Sequence, residues 1–197
     1  MAVRHRMAIA AALLVLLAAA VTAIFFLARG DDGLAKVHAG LERQFPRVEH
    51  ITGADLEALS PGDIVLFDTR ESAEYATSHI DGAVRVDPAI APQRFLAEYG
   101  ELARGRIAIF YCSVGARSTA LADKVRMRLV AEGAKQVFNL EKGLFGWHNQ
   151  RRALVDANGR PTDAIHPYNA FWGRLIDRQD KVVAEEEAPA IEPLPEV

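Results

Sequence analysis

The chain has only one cysteine, Cys112, among its 197 residues. That excludes an intramolecular disulfide and any cysteine-rich zinc site. Its six histidines, at positions 5, 38, 50, 79, 148 and 166, are scattered. None stands at a metal-ligand spacing, so the sequence calls for no metal and no other cofactor. An excess of positive charge is also lacking: 23 Lys and Arg stand against 26 Asp and Glu for a formal net charge of −3, with no basic stripe interleaved with aromatics. Nucleic acid is therefore not an expected partner.

The sequence does hold one long apolar run. Met7–Ala28 carries no charge across 22 residues, enough at about 1.5 Å per residue to span a hydrocarbon core of about 30 Å. Arg4 and Arg6 precede it, and Asp31 and Asp32 follow. The charge asymmetry predicts a cytoplasmic N-terminus and an exported remainder. Small-residue sites at Ala18–Ala20 and Val21–Ala23 would suit a cleaved signal peptide. The run continues past them through Ile24–Leu27, which favours an uncleaved anchor. The expected organisation is an anchor over 1–28, a polar connector over 29–45, one domain over 46–150, an extension over 151–180 and an acidic, disordered tail over 181–197. The length suits a single domain with appendages.

Within the domain, short apolar runs alternate with helical patterns. Strands are expected at Val48–Ile51, Ile64–Phe67, Ala83–Val86, Ile107–Tyr111 and Gln136–Leu140. Between them, helices are expected over 53–59, Ser72–Ser78, Pro92–Tyr99 and Ala116–Glu132. Leu121, Val125 and Leu129 recur four residues apart, as on a helix packed along one side. The alternation predicts an α/β domain built on a parallel sheet flanked by helices. In such sheets ligands bind at the carboxyl ends of the strands, where Asp68 and Cys112 both fall.

Cys112 ends an apolar run and is followed by Ser113, Val114, Gly115, Ala116, Arg117 and Ser118. A lone thiol between a buried strand and a helix N-terminus faces unpaired amides and the positive end of the helix dipole. Both favour the thiolate, which is the nucleophilic form. A core cysteine is the plainer reading, but Ser, Gly and Arg are poor core neighbours.

Upstream stand Asp68-Thr-Arg70, Glu74-Tyr75 and His79-Ile-Asp-Gly-Ala83; downstream runs Asn139-Leu-Glu-Lys-Gly143-Leu-Phe-Gly146-Trp147. Together with the cysteine loop, these ordered motifs resemble the rhodanese family of sulfurtransferases. His166-Pro-Tyr-Asn169 and Trp172-Gly173 resemble a sub-group of exported bacterial members. The resemblance implies that Cys112 attacks the outer sulfur of a small sulfur anion such as thiosulfate, or of a persulfide. The resulting cysteine persulfide then passes its sulfur to an external thiol or a thioredoxin-like protein. Residues Ser113 to Ser118 would form the binding loop, with Arg117 as the cation for a dianionic donor. Asp68 and Arg70 would brace the loop without touching substrate, and His79 would bond the turn after it.

Cysteine phosphatases place arginine six positions after the cysteine, whereas Arg117 follows at five, so phosphate chemistry is not expected. Ser113 stands where many thiosulfate-using members carry a basic residue, which leaves the loop mouth less positive. A rhodanese-fold sulfur carrier or docking module with little turnover is the alternative, and a tethered scaffold a more distant one. The reading adopted is a single-pass inner-membrane sulfurtransferase with its catalytic domain in the periplasm. In the extension, Tyr168, Phe171, Trp172, Leu175 and Ile176 recur at helical spacing and predict an amphipathic helix packed on the core.

Overall fold

The computed structural model describes residues 33–183. The expected anchor and most of the acidic tail lie outside these residues. Among the described residues no helix is long and apolar enough to cross a membrane. The chain opens with a helix over 33–44, α1. It then runs β1 (Glu49–Ile51), α2 (Gly53–Ala58), a 3-10 turn (Pro61–Asp63), β2 (Ile64–Asp68), α3 (Ser72–Thr77), β3 (Val84–Arg85) and α4 (Pro92–Ala103). There follow β4 (Ile107–Tyr111), α5 (Ala116–Ala131), β5 (Gln136–Leu140), α6 (Gly143–Asn149), β6 (Leu154–Val155), β7 (Pro161–Thr162), α7 (Ala170–Gly173) and a last 3-10 turn (Gln179–Lys181).

Five strands form one sheet in the order β1-β5-β4-β2-β3, and every pairing in it is parallel. The apolar runs follow from that placement, because a central parallel strand is buried on both faces. Val65 and Phe67 of β2, with Ala108 and Phe110 of β4, point to one side, where they meet Phe95 of α4 and Leu121, Val125 and Leu129 of α5. Leu66, Ile109 and Tyr111 point to the other, among Leu144, Phe145 and Trp147 of α6 and residues of the extension. Burying each large apolar side chain contributes roughly 1.5–3 kcal/mol.

Several elements differ from the sequence reading. α4 runs on to Ala103, past the expected end at Tyr99. Gly100 is buried inside the helix, and a Cβ there would make only an ordinary contact, 3.5 Å from the Glu132 carboxylate. α6 was not anticipated at all. The connector over 29–45, expected to be polar and in part helical, is helical over 33–44 as α1, which buries Leu34 and Leu41. The aromatic segment is not one long helix: only Ala170–Gly173 is helical. Tyr168 takes a positive φ of 62°, while Phe171 stays 61% exposed. A Cβ on Gly173 would meet Pro167 at 2.8 Å, which folds the segment back on itself. Ile165 and Ile176 nonetheless join the core. Asn149 ties α6 to the extension, donating to the Leu175 carbonyl and accepting from the Asp177 amide.

Candidate active site

Cys112 follows β4 directly and is 1% exposed. Its loop is fixed by its carbonyls. The amide of Leu144 donates to the Cys112 carbonyl at 2.8 Å, and that of Phe145 to the Ser113 carbonyl at 2.9 Å. The Gly115 carbonyl accepts from the Thr119 amide and from the hydroxyls of Ser118 and Thr119. Among the described residues, no hydrogen bond takes up the amides of Ser113, Val114, Gly115, Ala116, Arg117 or Ser118. The carbonyls are thus held away while the N–H groups are left free at the amino end of the 16-residue α5. This is a nest able to stabilise an anion on the sulfur.

Two glycines make the arrangement possible. Gly115 turns the chain at a φ of 93°. At Gly143, with φ 58°, a Cβ would lie 2.5 Å from the Cys112 carbonyl and 2.8 Å from both the Gly115 nitrogen and the Ser113 carbonyl. No other residue lets α6 sit this close beneath the loop.

The loop's side chains are gripped by Glu74 of α3, itself 1% exposed. Arg117 donates from both terminal nitrogens to its two oxygens at 2.9 Å. The Ser113 hydroxyl donates to Glu74 as well, and Arg117 reaches Ser113 at 3.0 Å. Glu74 also accepts from the Glu71 amide, closing a capping box at the start of α3. Burial alone would raise the Glu74 carboxyl. The bonds to Arg117 and Ser113, with the charges of Arg117 and Arg70, bring it below its ordinary value instead. Burial likewise works against the Arg117 guanidinium, but Glu74 and the neighbouring Cys112 outweigh it and raise its pKa. The expected cation for a dianionic donor is therefore already paired, and its guanidinium also lies 4.6 Å from the centre of the Tyr168 ring.

Asp68 and Arg70 form a fully buried pair at 2.6 Å. Arg70 donates onward to the Ser78 carbonyl, so this pair joins β2 to the end of α3. It does not touch the cysteine loop. The direct brace is Thr69, whose amide and hydroxyl both donate to the Tyr111 carbonyl, one residue before the thiol. His79 bonds the preceding Tyr75 carbonyl, not the following turn, and stacks on Tyr75 at 3.8 Å.

Beside the sulfur lies a pocket of about 170 Å³ bounded by Val114, Ala116, Arg117, Tyr168 and Trp172. The aromatic wall comes from the extension. The sequence reading did not place Glu74, Thr69, Gly143, Tyr168 or Trp172 around the thiol. Only a glycine directly after Lys142, and an asparagine placed to cap Phe171 and Trp172, mark these positions locally.

The family model of the rhodanese-like domain matches residues 48–150. No curated protein matches the chain. Solved structures similar to it include a protein of Bacillus halodurans at 19% identity and a TM-score of 0.46, covering 61% of this chain and 86% of that one. A rhodanese-related protein of Thermoplasma volcanium is 19% identical with a TM-score of 0.43, covering 54% and 97%. A thiosulfate sulfurtransferase of Pseudomonas aeruginosa is 23% identical with a TM-score of 0.46, covering 63% of this chain and 23% of that one.

Proposed function

The chain belongs to the rhodanese-like domain family, and from that premise we propose that it is a sulfurtransferase working through a persulfide on Cys112. The observation that carries this reading is the loop in which the carbonyls of Cys112, Ser113 and Gly115 are engaged while the amides from Ser113 to Ser118 are left without a partner beside a buried lone thiol. In the first half-reaction the Cys112 thiolate attacks the outer sulfur of a donor. A new S–S bond forms, the donor's own S–S bond breaks, and its electron pair leaves with the rest of the donor (sulfite, for thiosulfate). In the second, an external thiolate attacks the terminal sulfur and carries it off, restoring the Cys112 thiolate. The loop amides stabilise the sulfur anion in both steps without a side-chain base. Because the chain holds no second cysteine, the acceptor is external: a small thiol or a thioredoxin-like protein.

The apolar run Met7–Ala28 and its flanking charges support a single-pass anchor in the inner membrane, with the domain in the periplasm. A topology reporter fused after residue 183 tests that placement. The pairing of Arg117 with Glu74 favours a second reading, a sulfur carrier with slow turnover on thiosulfate. One experiment addresses both. The purified protein is incubated with a sulfane-sulfur donor, and the mass gain of one sulfur at Cys112 is followed before and after a thiol acceptor is added. Loading and discharge at catalytic rate support the enzyme; loading without turnover supports the carrier. Cys112→Ser should take up no sulfur, and uptake by that variant would overturn the mechanism.

A further inference from the structure

The pocket beside Cys112 has little positive charge to offer. Its single lining cation, Arg117, gives both terminal nitrogens to the buried Glu74 carboxylate, so the pair carries no net charge. Ser113, next to the thiol, turns its hydroxyl to the same carboxylate. The free donors are the backbone amides of the loop that follows the thiol, Ser113 to Ser118, which suits one anionic atom and not a second charged group further out. Away from the sulfur the walls are Val114, Ala116, Trp172 and the face of Tyr168. The volume of about 170 Å³ is close to the roughly 150 Å³ of an apolar cavity that accommodates benzene.

The wall is held in place at a cost. Tyr168 sits at φ 62°, in the left-handed region that a residue with a Cβ rarely adopts. Its amide donates to His166 Nδ1 at 3.0 Å, and the Asn169 side chain caps the turn of α7 that carries Trp172. Strained backbone concentrates at functional sites, and here it brings an aromatic ring over the mouth of the thiol pocket.

We infer that this site selects sulfane-sulfur donors that are monoanions with an apolar substituent, such as an aryl thiosulfonate, over the small dianion thiosulfate. The inference rests on the sulfurtransferase reading. The Cys112 thiolate attacks the terminal sulfur of R–SO2–S⁻; the Cys112 S–S bond forms and the donor S–S bond breaks. The electron pair leaves on the sulfinate R–SO2⁻, and Cys112 keeps a persulfide anion. The amides hold the charged sulfur, and the apolar group R lies against Tyr168 and Trp172.

The test measures kcat/KM for Cys112 loading from thiosulfate, methanethiosulfonate and benzenethiosulfonate with the same thiol acceptor. Benzenethiosulfonate should exceed each of the other two by at least about tenfold, the lower range for added apolar bulk in a fitted pocket. In Trp172→Ala the ratio of benzene- to methanethiosulfonate should fall toward one. Unreactive benzenesulfonate should inhibit competitively at lower concentration than methanesulfonate, which reads binding apart from transfer. Thiosulfate equal to or better than the aryl donor would overturn the inference while leaving the sulfurtransferase reading in place, as would a Trp172→Ala variant with an undiminished ratio. Loading from none of the three donors would remove the parent reading and this inference together.

Discussion

The two faces of the sheet are built on different principles. The face covered by α4 and α5 is packed by apolar side chains, with Phe67, Phe95 and Phe110 all fully buried. The opposite face is also apolar beneath α6 and the extension, but α3 beside it buries charge: Asp68, Arg70 and Glu74 are each at most 1% exposed. One side supplies stability from neighbouring helices that fit by shape. The other spends part of its stability on holding a loop of residues 113–118 in one conformation, since buried ion pairs specify geometry better than they stabilise. A site can thus be made exact on one side of a sheet because the other side needs no exactness.

The sharpest way to break that comparison is to damage each side equally. Phe95→Ala should cost about 3–5 kcal/mol of stability through cavity formation. Glu74→Gln should cost a similar amount, about 3–5 kcal/mol, by taking the buried carboxylate from the Arg117 guanidinium and the Ser113 hydroxyl. Denaturant titration would then match the two variants, whereas sulfur transfer per folded molecule would separate them. Phe95→Ala should keep its rate and Glu74→Gln lose it. Equal rates would mean that the charged cluster does no more than fill space.

Arg117→Ala comes next in size. With about a quarter of its side chain exposed, the loss should be about 2 kcal/mol, less than for a fully buried pair. It should appear as a lowered melting temperature together with slower loading from every donor. A raised KM confined to thiosulfate, with unchanged melting, would return Arg117 to the role of anion-binding cation.

The smallest effect is one of acidity. Glu74 lies below its ordinary carboxyl value of 4.5, so its contribution is present above that value and fades as pH falls through its lower folded value. Burial likewise lowers His79 and His148 below their ordinary 6.5. Their contributions are present above 6.5 and lost as acid drives the rings to charge. Hydrogen-exchange protection, corrected for intrinsic rates, should therefore weaken first in α3 and α6 between neutral pH and pH 5. Uniform loss across α4 and α5 as well would erase the distinction between the faces.

The better-insulated face was also the more legible. β4 and β5 were readable to the residue, and β2 to within one; β2 and β4 are continuous apolar runs, and β5 is a short β-rich segment after the glycine that ends α5. The burial of Leu121, Val125 and Leu129 follows their four-residue spacing. α6 was not readable: Gly143 through His148 are all buried, so no polar side exists to reveal a helical period. Cys112 and its loop stood out locally. The grip of Glu74 on that loop did not, since it joins residues 39 and 43 apart in sequence. The aromatic segment misled for a local reason. Its spacing is helical, but Tyr168 at positive φ and Gly173 against Pro167 are settled by tertiary contact.

The extension's share in the pocket has a consequence for how the molecule comes into being. Tyr168 and Trp172 leave the ribosome roughly 60 residues after Cys112, which at about 5–20 residues per second is some seconds later. Through that interval the thiol's cradle can form from α5 and α6 with one wall still absent. The newborn chain thus passes through an age at which its only cysteine is open to any passing electrophile, and it outgrows that age when its final turn folds over.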